Sequence, residues 1–440
     1  MGRIENRADA ATRRLLVVAD SDSYVKWGAA LASTMPATWT TSLVVLASPV
    51  LPSRRQLADA LAGTRFTTGD VHVLHLDDLG ALVDRDDPHA VLLSLRGPFV
   101  RVVAPTLESR SNRPVLLSGF PGLTIPAVPK AVVYREQTDL VVLHSRREVR
   151  EFRANAADLG VDRRFGLATL PFLADDRIPA GGRGTAGDAG RAAASDRTDL
   201  VFAAQAKVPT ERDDRVRVLE ALAEYARRHP GQRVVVKVRA RRGEAQTHFE
   251  EHDYADLLHV ADGVPSNLVV EDGPMAEKLA RANAVVTVSS TTALEAVALR
   301  LPTLLLDDFG VSPAMINTVF EGSGLFGSLD DLVHGRFRHA DAAWTNDNYF
   351  HGCDADDWFG RLDAFAEARE IVPLPRLERR HDLAGGLLRN AYERRRMLGS
   401  HDREPLGAAA WGLGLVARHV VRRLRRLQGV GGLPNAALRG

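Results

Sequence analysis

Four consecutive hydroxyl side chains stand between a predicted strand and a predicted helix. The apolar run Ala284–Val288 is followed by SSTT at positions 289–292, and helical period resumes over Thr292–Leu299. The first turn of a helix has unpaired N–H groups and a positive dipole end, and Ser and Thr hydroxyls add further donors. This pattern predicts a site for a phosphate or diphosphate. Its candidate ligands are Ser289, Ser290 and Thr291.

Glu295 lies in the first turn of the same predicted helix. Its carboxylate is positioned to accept hydrogen bonds from the diol of a ribose. The alternative is a capping box, because Thr292 and Glu295 have the S/T-x-x-E spacing. Local spacing leaves both interpretations open.

Basic residues follow the first two predicted strands of the same half of the chain. Lys207 follows the first strand and Arg212 opens the next helix, whereas Lys237 and Arg239 end the second strand. Cations at these strand ends could neutralise a leaving diphosphate without a metal ion. The alternative is that they are solvated charges at loop tips.

Three residues near the amino-terminal strands are candidates for catalysis. Asp20 and Asp22 end the first strand and open a helix, where a carboxylate could deprotonate an acceptor hydroxyl as a general base. The alternative for this turn is helix capping by Asp22 or Ser23. His144, at the end of the sixth predicted strand, is a further candidate, with a structural role as its alternative.

The segment around Glu295 resembles the donor-nucleotide segment of the GT-B glycosyltransferases. The likeness lies in the Ser/Thr turn, the Ala293–Ala298 run (ALEAVA) and Pro302 opening the next strand. It implies that Glu295 binds the donor ribose and that the preceding turn holds the diphosphate. The chain as a whole is similar, over roughly residues 15–375, to a group of glycosyltransferase-like proteins of high-GC bacteria. The segments that carry this likeness are ADSDSYVKW, FAAQAKVP, RGEAQTH and Asn346–Phe350.

The chain departs from those relatives at two points. Many retaining GT-B enzymes have a second Glu eight residues before the ribose-binding one, where this chain has Thr287. The double-serine turn resembles polyol-phosphate transferases and sialyltransferase-like enzymes, but their His-Pro motif is replaced here by Val236–Arg239 (VKVR). The stereochemistry of the reaction and the donor nucleotide therefore stay open.

Short apolar strands that alternate with helices must position these residues. Such alternation predicts an α/β fold of two doubly wound, Rossmann-like parallel sheets facing across a cleft, as in GT-B proteins. The predicted strands of the first half are 15–19, 43–47, 71–75, 90–95, 115–118 and 140–144, and its helices are 24–34, 54–62, 98–108 and 147–159. The predicted strands of the second half are 200–204, 233–238, 267–270, 284–288 and 303–306, and its helices are 212–228, 275–282 and 292–299.

Composition divides the chain into four parts. Residues 1–175 form the predicted acceptor-side domain, and residues 176–197, rich in Gly, Ala and Arg, a flexible linker. Residues 198–375 form the nucleotide-sugar domain, and residues 376–440 a basic helical tail. The length of 440 residues is consistent with two domains.

Charge and cysteine content exclude several classes of protein. The formal net charge is +1, but residues 376–440 hold 14 Arg against five Asp and Glu, so the body is mildly acidic. An acidic body disfavours nucleic-acid binding, because phosphate neutralisation requires a basic surface. The single cysteine, Cys353, excludes an intramolecular disulfide and a cysteine-rich metal site, and no other metal-ligand cluster is evident. No signal peptide or long apolar run is evident, which predicts a cytoplasmic protein.

The tail carries a basic amphipathic pattern that begins near Trp411. On a helical wheel its apolar and basic residues separate onto opposite faces, a pattern typical of helices that lie on anionic membranes. Packing onto the body and a disordered end are the alternatives. The apolar face has Leu413, Val416, Ala417, Val420, Leu424 and Leu427, and the basic face has Arg418, Arg422, Arg425 and Arg426.

These features predict a metal-independent glycosyltransferase with no cofactor. Its partners would be a nucleotide-sugar donor, a carbohydrate or lipid-linked acceptor and, through the tail, the inner face of a membrane, consistent with cell-envelope synthesis. A nucleotide-sugar 2-epimerase or a polyol-phosphate transferase of the same fold is the enzymatic alternative. A nucleotide-sugar sensor or an inactive partner is the non-enzymatic one.

Overall fold

A first parallel sheet of seven strands organises the amino-terminal half. The computed structural model describes residues 12–173, 197–238, 252–259, 263–412 and 414. Strand order in the first sheet is β3-β2-β1-β4-β5-β6-β7. The strands are β1 (Arg13–Ala19), β2 (Trp39–Leu46), β3 (Val71–Leu74), β4 (Ala90–Ser94), β5 (Val115–Gly119), β6 (Leu140–Leu143) and β7 (Arg164–Leu167).

Helices cover both faces of this sheet, because its strands are apolar on both sides. In β1, Leu15 and Val17 join one core cluster while Leu16 and Val18 join the other. The first cluster includes helices α1 and α2, and the second includes α3 and α4. The helices are α1 (Asp22–Ser33), α2 (Arg54–Leu61), α3 (Leu76–Asp86), α4 (Gly97–Glu108), α5 (Pro129–Val133) and α6 (Arg146–Asp158).

A second parallel sheet repeats this plan with six strands in the order β10-β9-β8-β11-β12-β13. Its strands are β8 (Asp199–Ala203), β9 (Arg233–Lys237), β10 (Leu268–Glu271), β11 (Ala282–Thr287), β12 (Thr303–Leu306) and β13 (Phe326–Gly327). Its helices are α7 (Arg212–Arg228), α8 (Tyr254–His259), α9 (Met275–Arg281), α10 (Thr292–Ala298), α11 (Leu329–Val333) and α12 (Ala342–Asp347).

The chain then returns to the first domain. Helix α13 (Trp358–Ile371) buries Trp358, Leu362 and Ala366 in the first sheet's core. Helix α14 (Gly386–Leu398) contacts α4, and Arg101 of α4 is ion-paired with Asp382 at 2.8 Å. Helix α13, which ends the predicted nucleotide-sugar domain (residues 198–375), therefore packs against the first domain. The domain boundaries predicted from composition stay predictions.

The doubly wound α/β fold predicted from the alternating pattern is confirmed. The predicted elements agree with the observed ones to within a few residues, but α3, α5, α8, α11, α12, α13, β7 and β13 were not predicted. Most of the predicted linker and of the amphipathic tail lies outside the described residues.

Candidate functional site

The strand orders place one crevice in each sheet. In the first sheet β1 and β4 are neighbours, and in the second sheet β8 and β11 are neighbours. From β1 the chain crosses over to β2 on one side, and from β4 it crosses over to β5 on the other side; β8 and β11 are related in the same way. The loops at the carboxyl ends of the two strands therefore diverge and leave a crevice between them. Ligands of open α/β sheets bind at such switch points.

Asp20 and Arg96 meet at the switch point of the first sheet. Asp20 follows β1 and is completely buried, and Nε of Arg96, after β4, donates a hydrogen bond of 2.5 Å to its Oδ2. Burial raises the pKa of the Asp20 carboxyl above its usual value, and the charge and hydrogen bonds of Arg96 oppose that shift. A carboxylate with no exposed surface cannot reach an acceptor hydroxyl in this conformation.

Asp22 remains accessible beside this pair. It is the first residue of α1 and is half-buried, and Oγ of Ser23 donates to its Oδ1 at 3.3 Å. The N-cap of α1 is Ser21, which makes no side-chain cap bond, so the alternative expectation of capping by Asp22 or Ser23 is wrong.

His144 lies in the core. Its Nε2 accepts a hydrogen bond of 2.7 Å from Nε1 of Trp27, and its Nδ1 is 2.9 Å from the carbonyl oxygen of Ala168. These contacts indicate a neutral ring that donates from Nδ1, and burial lowers the pKa of His144. This geometry favours the structural alternative for His144, and it does not bring His144 together with the aspartates.

Gln205 and Ser289 meet at the switch point of the second sheet. Oε1 of Gln205, after β8, accepts from the backbone N–H of Ser289 at 2.8 Å, and its Nε2 lies 2.9 Å from Oγ of Ser289. Ser289 is 3% exposed. Its role in this geometry is to fix the turn after β11 to β8, whereas Ser290 and Thr291 are more accessible.

The turn itself is closed by Ser290. Its Oγ accepts from the backbone N–H of Thr292 at 3.2 Å and donates toward Oγ1 of Thr292 at 3.0 Å. Thr291 is the N-cap of α10 and makes no side-chain cap bond. The capping box proposed as the alternative for Thr292 and Glu295 is therefore not formed.

Glu295 is half-buried on α10 and faces the first domain. Burial raises the pKa of its carboxyl, and the positive charge of Lys26 on α1 opposes that shift. Within the described ranges no side chain or backbone group donates a hydrogen bond to this carboxylate. Its hydrogen-bonding capacity is thus available to a ligand in the cleft.

The predicted basic residues are not equivalent. Lys207 is exposed after β8, and Arg212 is exposed at the start of α7, 3.7 Å from Asp213. Lys237 is 7% exposed, and its Nζ donates to the carbonyl oxygen of Val238 at 2.5 Å. Arg239 lies outside the described residues.

The two crevices face each other closely. A methyl group at Gly122, in the loop after β5, would lie 3.5 Å from Cγ2 of Thr291, so this loop backs onto the Ser/Thr turn. At another point Nη2 of Arg55 on α2 lies 3.9 Å from Oδ2 of Asp272, which follows β10. Loops at the carboxyl ends of both sheets therefore line one cleft.

Sequence reasoning missed Arg96 and Gln205. Both come directly after predicted strands, so their position at a carboxyl end was a usable signal. Their importance depends on strand order, which places β4 beside β1 and β11 beside β8.

The described residues contain neither a metal-ligand cluster nor a helix suited to spanning a membrane. In the part of the chain that the structure describes, no group of three or more His, Cys, Asp and Glu could hold a metal ion. Across those same ranges, no helix has the length and apolar character that a membrane span requires.

Comparison with known families gives one match that covers most of the chain. The family model described as "Putative glycosyltransferase (DUF6716)" matches residues 15–365. No curated protein sequence matches the chain.

Solved structures share the two-domain fold at low sequence identity. One is described as a "putative UDP-N-acetylglucosamine 2-epimerase" from Listeria monocytogenes, with 12% identity, a TM-score of 0.51 and coverage of 84% of this chain and 99% of that one. Another is a UDP-glucosyltransferase from Polygonum tinctorium, with 10% identity, a TM-score of 0.51 and coverage of 81% and 99%. These similarities establish the fold, which agrees with the predicted GT-B-like architecture.

Proposed function

The chain belongs to the DUF6716 family of putative glycosyltransferases, and from that premise we propose that it transfers a sugar from a nucleotide-sugar donor to an acceptor hydroxyl. The donor binds in the crevice between β8 and β11, and the acceptor binds opposite, on the first domain. The observation that carries this proposal is the half-buried carboxylate of Glu295, which faces the first domain with no hydrogen-bond donor from the described residues.

Glu295 recognises the ribose of the donor. Keeping a carboxylate partly desolvated is costly unless donors satisfy it. The two hydroxyls of a ribose can supply such donors, and the nearby positive charge of Lys26 favours the ionised state that accepts them. The cost in the free protein is offset when the nucleotide binds.

The diphosphate lies over the Ser/Thr turn. Thr291, which makes no side-chain capping bond, supplies its hydroxyl and backbone N–H, whereas Ser290 and Gln205 hold the turn through Thr292 and Ser289. The exposed Lys207 and Arg212, at the same edge of the sheet, supply positive charge for the leaving diphosphate. Ser289 and Lys237 hold the strand ends in place.

Asp22 accepts the proton of the acceptor hydroxyl. The acceptor oxygen attacks the anomeric carbon, the bond from that carbon to the diphosphate oxygen breaks, and the nucleoside diphosphate leaves with the bonding electrons. Asp22 suits this role better than Asp20, because Asp20 is completely buried.

A donor screen tests the proposal. Thermal-shift measurements with nucleoside diphosphates and nucleotide sugars should identify a stabilising nucleotide, with uridine nucleotides the first to try.

Calorimetry then tests Glu295. Glu295→Ala should weaken the affinity for that nucleotide about ten-fold to hundred-fold, the equivalent of losing charged hydrogen bonds worth about 1.5–3 kcal/mol. Glu321→Ala, an exposed glutamate of the same domain, is the matched control. An unchanged affinity in Glu295→Ala would contradict the assignment.

Turnover distinguishes the remaining functions. A 2-epimerase would convert the nucleotide sugar with no acceptor present, and a polyol-phosphate transferase would release a nucleoside monophosphate. A sensor would bind the nucleotide tightly and turn over nothing. A glycosyltransferase releases nucleoside diphosphate in proportion to the acceptor supplied, and Asp22→Asn should slow that release by orders of magnitude.

A further inference from the structure

The crevice between β1 and β4 contains the guanidinium group of Arg96, which is held in place on one edge and accessible on the other. Nε of Arg96 is held by Asp20 at 2.5 Å, and the backbone of Arg96 also hydrogen-bonds to that carboxylate. Among the residues that the structure describes, none accepts a hydrogen bond from Nη1 or Nη2 of Arg96. The side chain is 28% exposed, so its outer N–H groups are available to a ligand.

Asp20 orients this guanidinium. A carboxylate with 0% side-chain exposure can act on a ligand only through its partner, and its partner is Arg96. A buried carboxylate that hydrogen-bonds to one edge of a ligand-binding side chain fixes the orientation of that side chain, as is common in binding sites. This arrangement leaves the other edge of the Arg96 fork for recognition.

The surroundings add a second cation. Arg135 is 2% exposed and donates to Oγ of Ser118 at 3.2 Å and to the carbonyl oxygen of Gly119 at 3.0 Å. Its guanidinium lies 3.8 Å from the ring centre of Phe120, and it also interacts with the phenol of Tyr24. Burial lowers the pKa of Arg135, and none of these partners is a carboxylate that would neutralise its charge. Lys26 on α1 and Asp22 are the charged side chains on the adjoining turn of α1.

We propose that Arg96 binds an anionic group of the acceptor, a carboxylate or a phosphate, and that Asp20 is its positioning residue. A planar guanidinium fork matches the paired oxygens of either group. The inference rests on the proposed function, because it assigns the first-domain crevice to the acceptor. The acceptor is then an acidic sugar or a phosphorylated molecule, and its anion lies against Arg96 while its hydroxyl faces Asp22.

Three small probes with the same ring isolate the charge. Glucuronate carries a carboxylate, glucose 1-phosphate carries a phosphate, and glucose is neutral. Their affinities are measured by ligand-observed NMR, alone and with saturating UDP, which keeps a phosphate probe out of the donor crevice. UDP affinity itself is measured in parallel on every variant.

The Arg96 variants must be designed so that the buried carboxylate of Asp20 is not left without a partner. Removing Arg96 alone would leave Asp20 as an unpaired buried charge, so Arg96→Gln is compared with the double variant Asp20→Asn/Arg96→Gln. Arg96→Lys keeps the charge and loses the fork. Arg85→Gln, an exposed arginine near the end of α3, is the matched control.

At least one acidic probe should bind the wild-type protein, and glucose should not. The double variant and Arg96→Gln should bind that probe about ten-fold more weakly or worse, with Arg96→Lys intermediate and Arg85→Gln unchanged. Binding of glucuronate only indicates a carboxylate acceptor, and binding of glucose 1-phosphate only indicates a phosphate. Asp20→Asn should weaken the probe through lost orientation, whereas tighter binding in that variant would overturn the positioning role.

The results separate this inference from the function on which it rests. Failure of all nucleotides to bind would refute the proposed donor site, but the response of glucuronate to Arg96 could still be measured. Equal binding of the acidic probe to wild type and the double variant would overturn the inference, as would absence of binding to wild type. A loss of UDP affinity in the double variant that equals the loss for the probe would assign Arg96 to the donor.

Discussion

Oη of Tyr349 donates a hydrogen bond of 2.7 Å to Oε1 of Glu148 and so joins the segment after α12 to helix α6. Both residues are buried, and Oγ1 of Thr124 donates to the same carboxylate oxygen at 2.6 Å. Burial and the negative charge of Glu148 raise the pKa of Tyr349 well above its ordinary value, so the phenol keeps its proton. Arg150 and Asp347 form a two-bond ion pair beside it, at 2.5 and 2.7 Å. This contact ties the end of the second domain to the first.

Tyr349→Phe should lower the free energy of unfolding by about 1.5–3 kcal/mol, the usual contribution of a hydrogen bond to a charged group. The ring remains, so the loss reports the hydroxyl alone. Urea denaturation measures the difference. Tyr134→Phe is the control, because no described residue hydrogen-bonds to that hydroxyl. Equal stability of the two variants would show that the Tyr349 contact contributes nothing.

Gly119→Ala should destabilise the first domain. A methyl group there would lie 2.5 Å from the ring of Trp27 and 2.7 Å from the carbonyl oxygen of Val142. Trp27 cannot move freely, because its Nε1 is held by His144. Overpacking of this kind costs about 1–3 kcal/mol. Gly231→Ala, where a methyl group would meet nothing within 4 Å, is the control in the same thermal-unfolding measurement.

Most strands could be predicted because the central ones, such as β1, β4 and β11, are buried on both faces and therefore read as short apolar runs. Helix α3 escaped prediction, since its buried Leu76, Leu79 and Val83 are interrupted by aspartates. Strand β7 also escaped prediction, because it has only four residues and one of them is Gly166. Thr291 of the predicted turn lies near the loop after β5 and Glu295 lies near Lys26 of α1, and their roles in binding stay predictions.

The pairs at the two switch points could not be predicted. Asp20 and Arg96 are 76 positions apart, and Gln205 and Ser289 are 84 apart. Contacts of that separation follow from strand order, which local patterns do not specify. The same reason explains why Asp20 was expected to be a base, since nothing near it in sequence indicates that Arg96 covers it.

Glu295→Gln should stabilise the protein at neutral pH and weaken nucleotide binding. Burial raises the pKa of Glu295 in the folded protein, so the ionised group destabilises the fold at every pH above that raised pKa. Below the ordinary glutamate pKa of about 4.3 the group is protonated in both states, and the advantage of the glutamine should vanish. Urea denaturation at several pH values measures this difference.

The pH dependence of nucleotide affinity should also report the ionisation of Glu295. Its affinity for the wild-type protein should fall on acidification through the raised pKa, because a protonated Glu295 loses acceptor capacity. Affinity in Glu295→Gln should be low and flat over that range. A stabilising effect of the glutamine that persists at low pH would contradict this account of the carboxylate.

The basic tail should bind anionic vesicles. The ring of Trp411 stacks on Tyr392 of α14 with centroids 5.2 Å apart and an angle of 16°, so this tryptophan packs against the body. A truncation should therefore keep Trp411 and remove residues 415–440, which contain the predicted basic face. The full chain should co-sediment with phosphatidylglycerol vesicles and much less with phosphatidylcholine vesicles. The truncated chain should remain in the supernatant.

Charge and apolar area can be separated in the same assay. Changing Arg418, Arg422, Arg425 and Arg426 to Gln removes the charges of the predicted basic face and keeps the residues of the predicted apolar face. Each arginine near an anionic surface contributes about 1 kcal/mol, so the fourfold variant should bind about a thousand-fold more weakly. Binding of the full chain should also fall as salt is added, because the interaction is screened. Equal sedimentation of the full chain, the fourfold variant and the truncation would show that the tail does not hold the protein at a membrane.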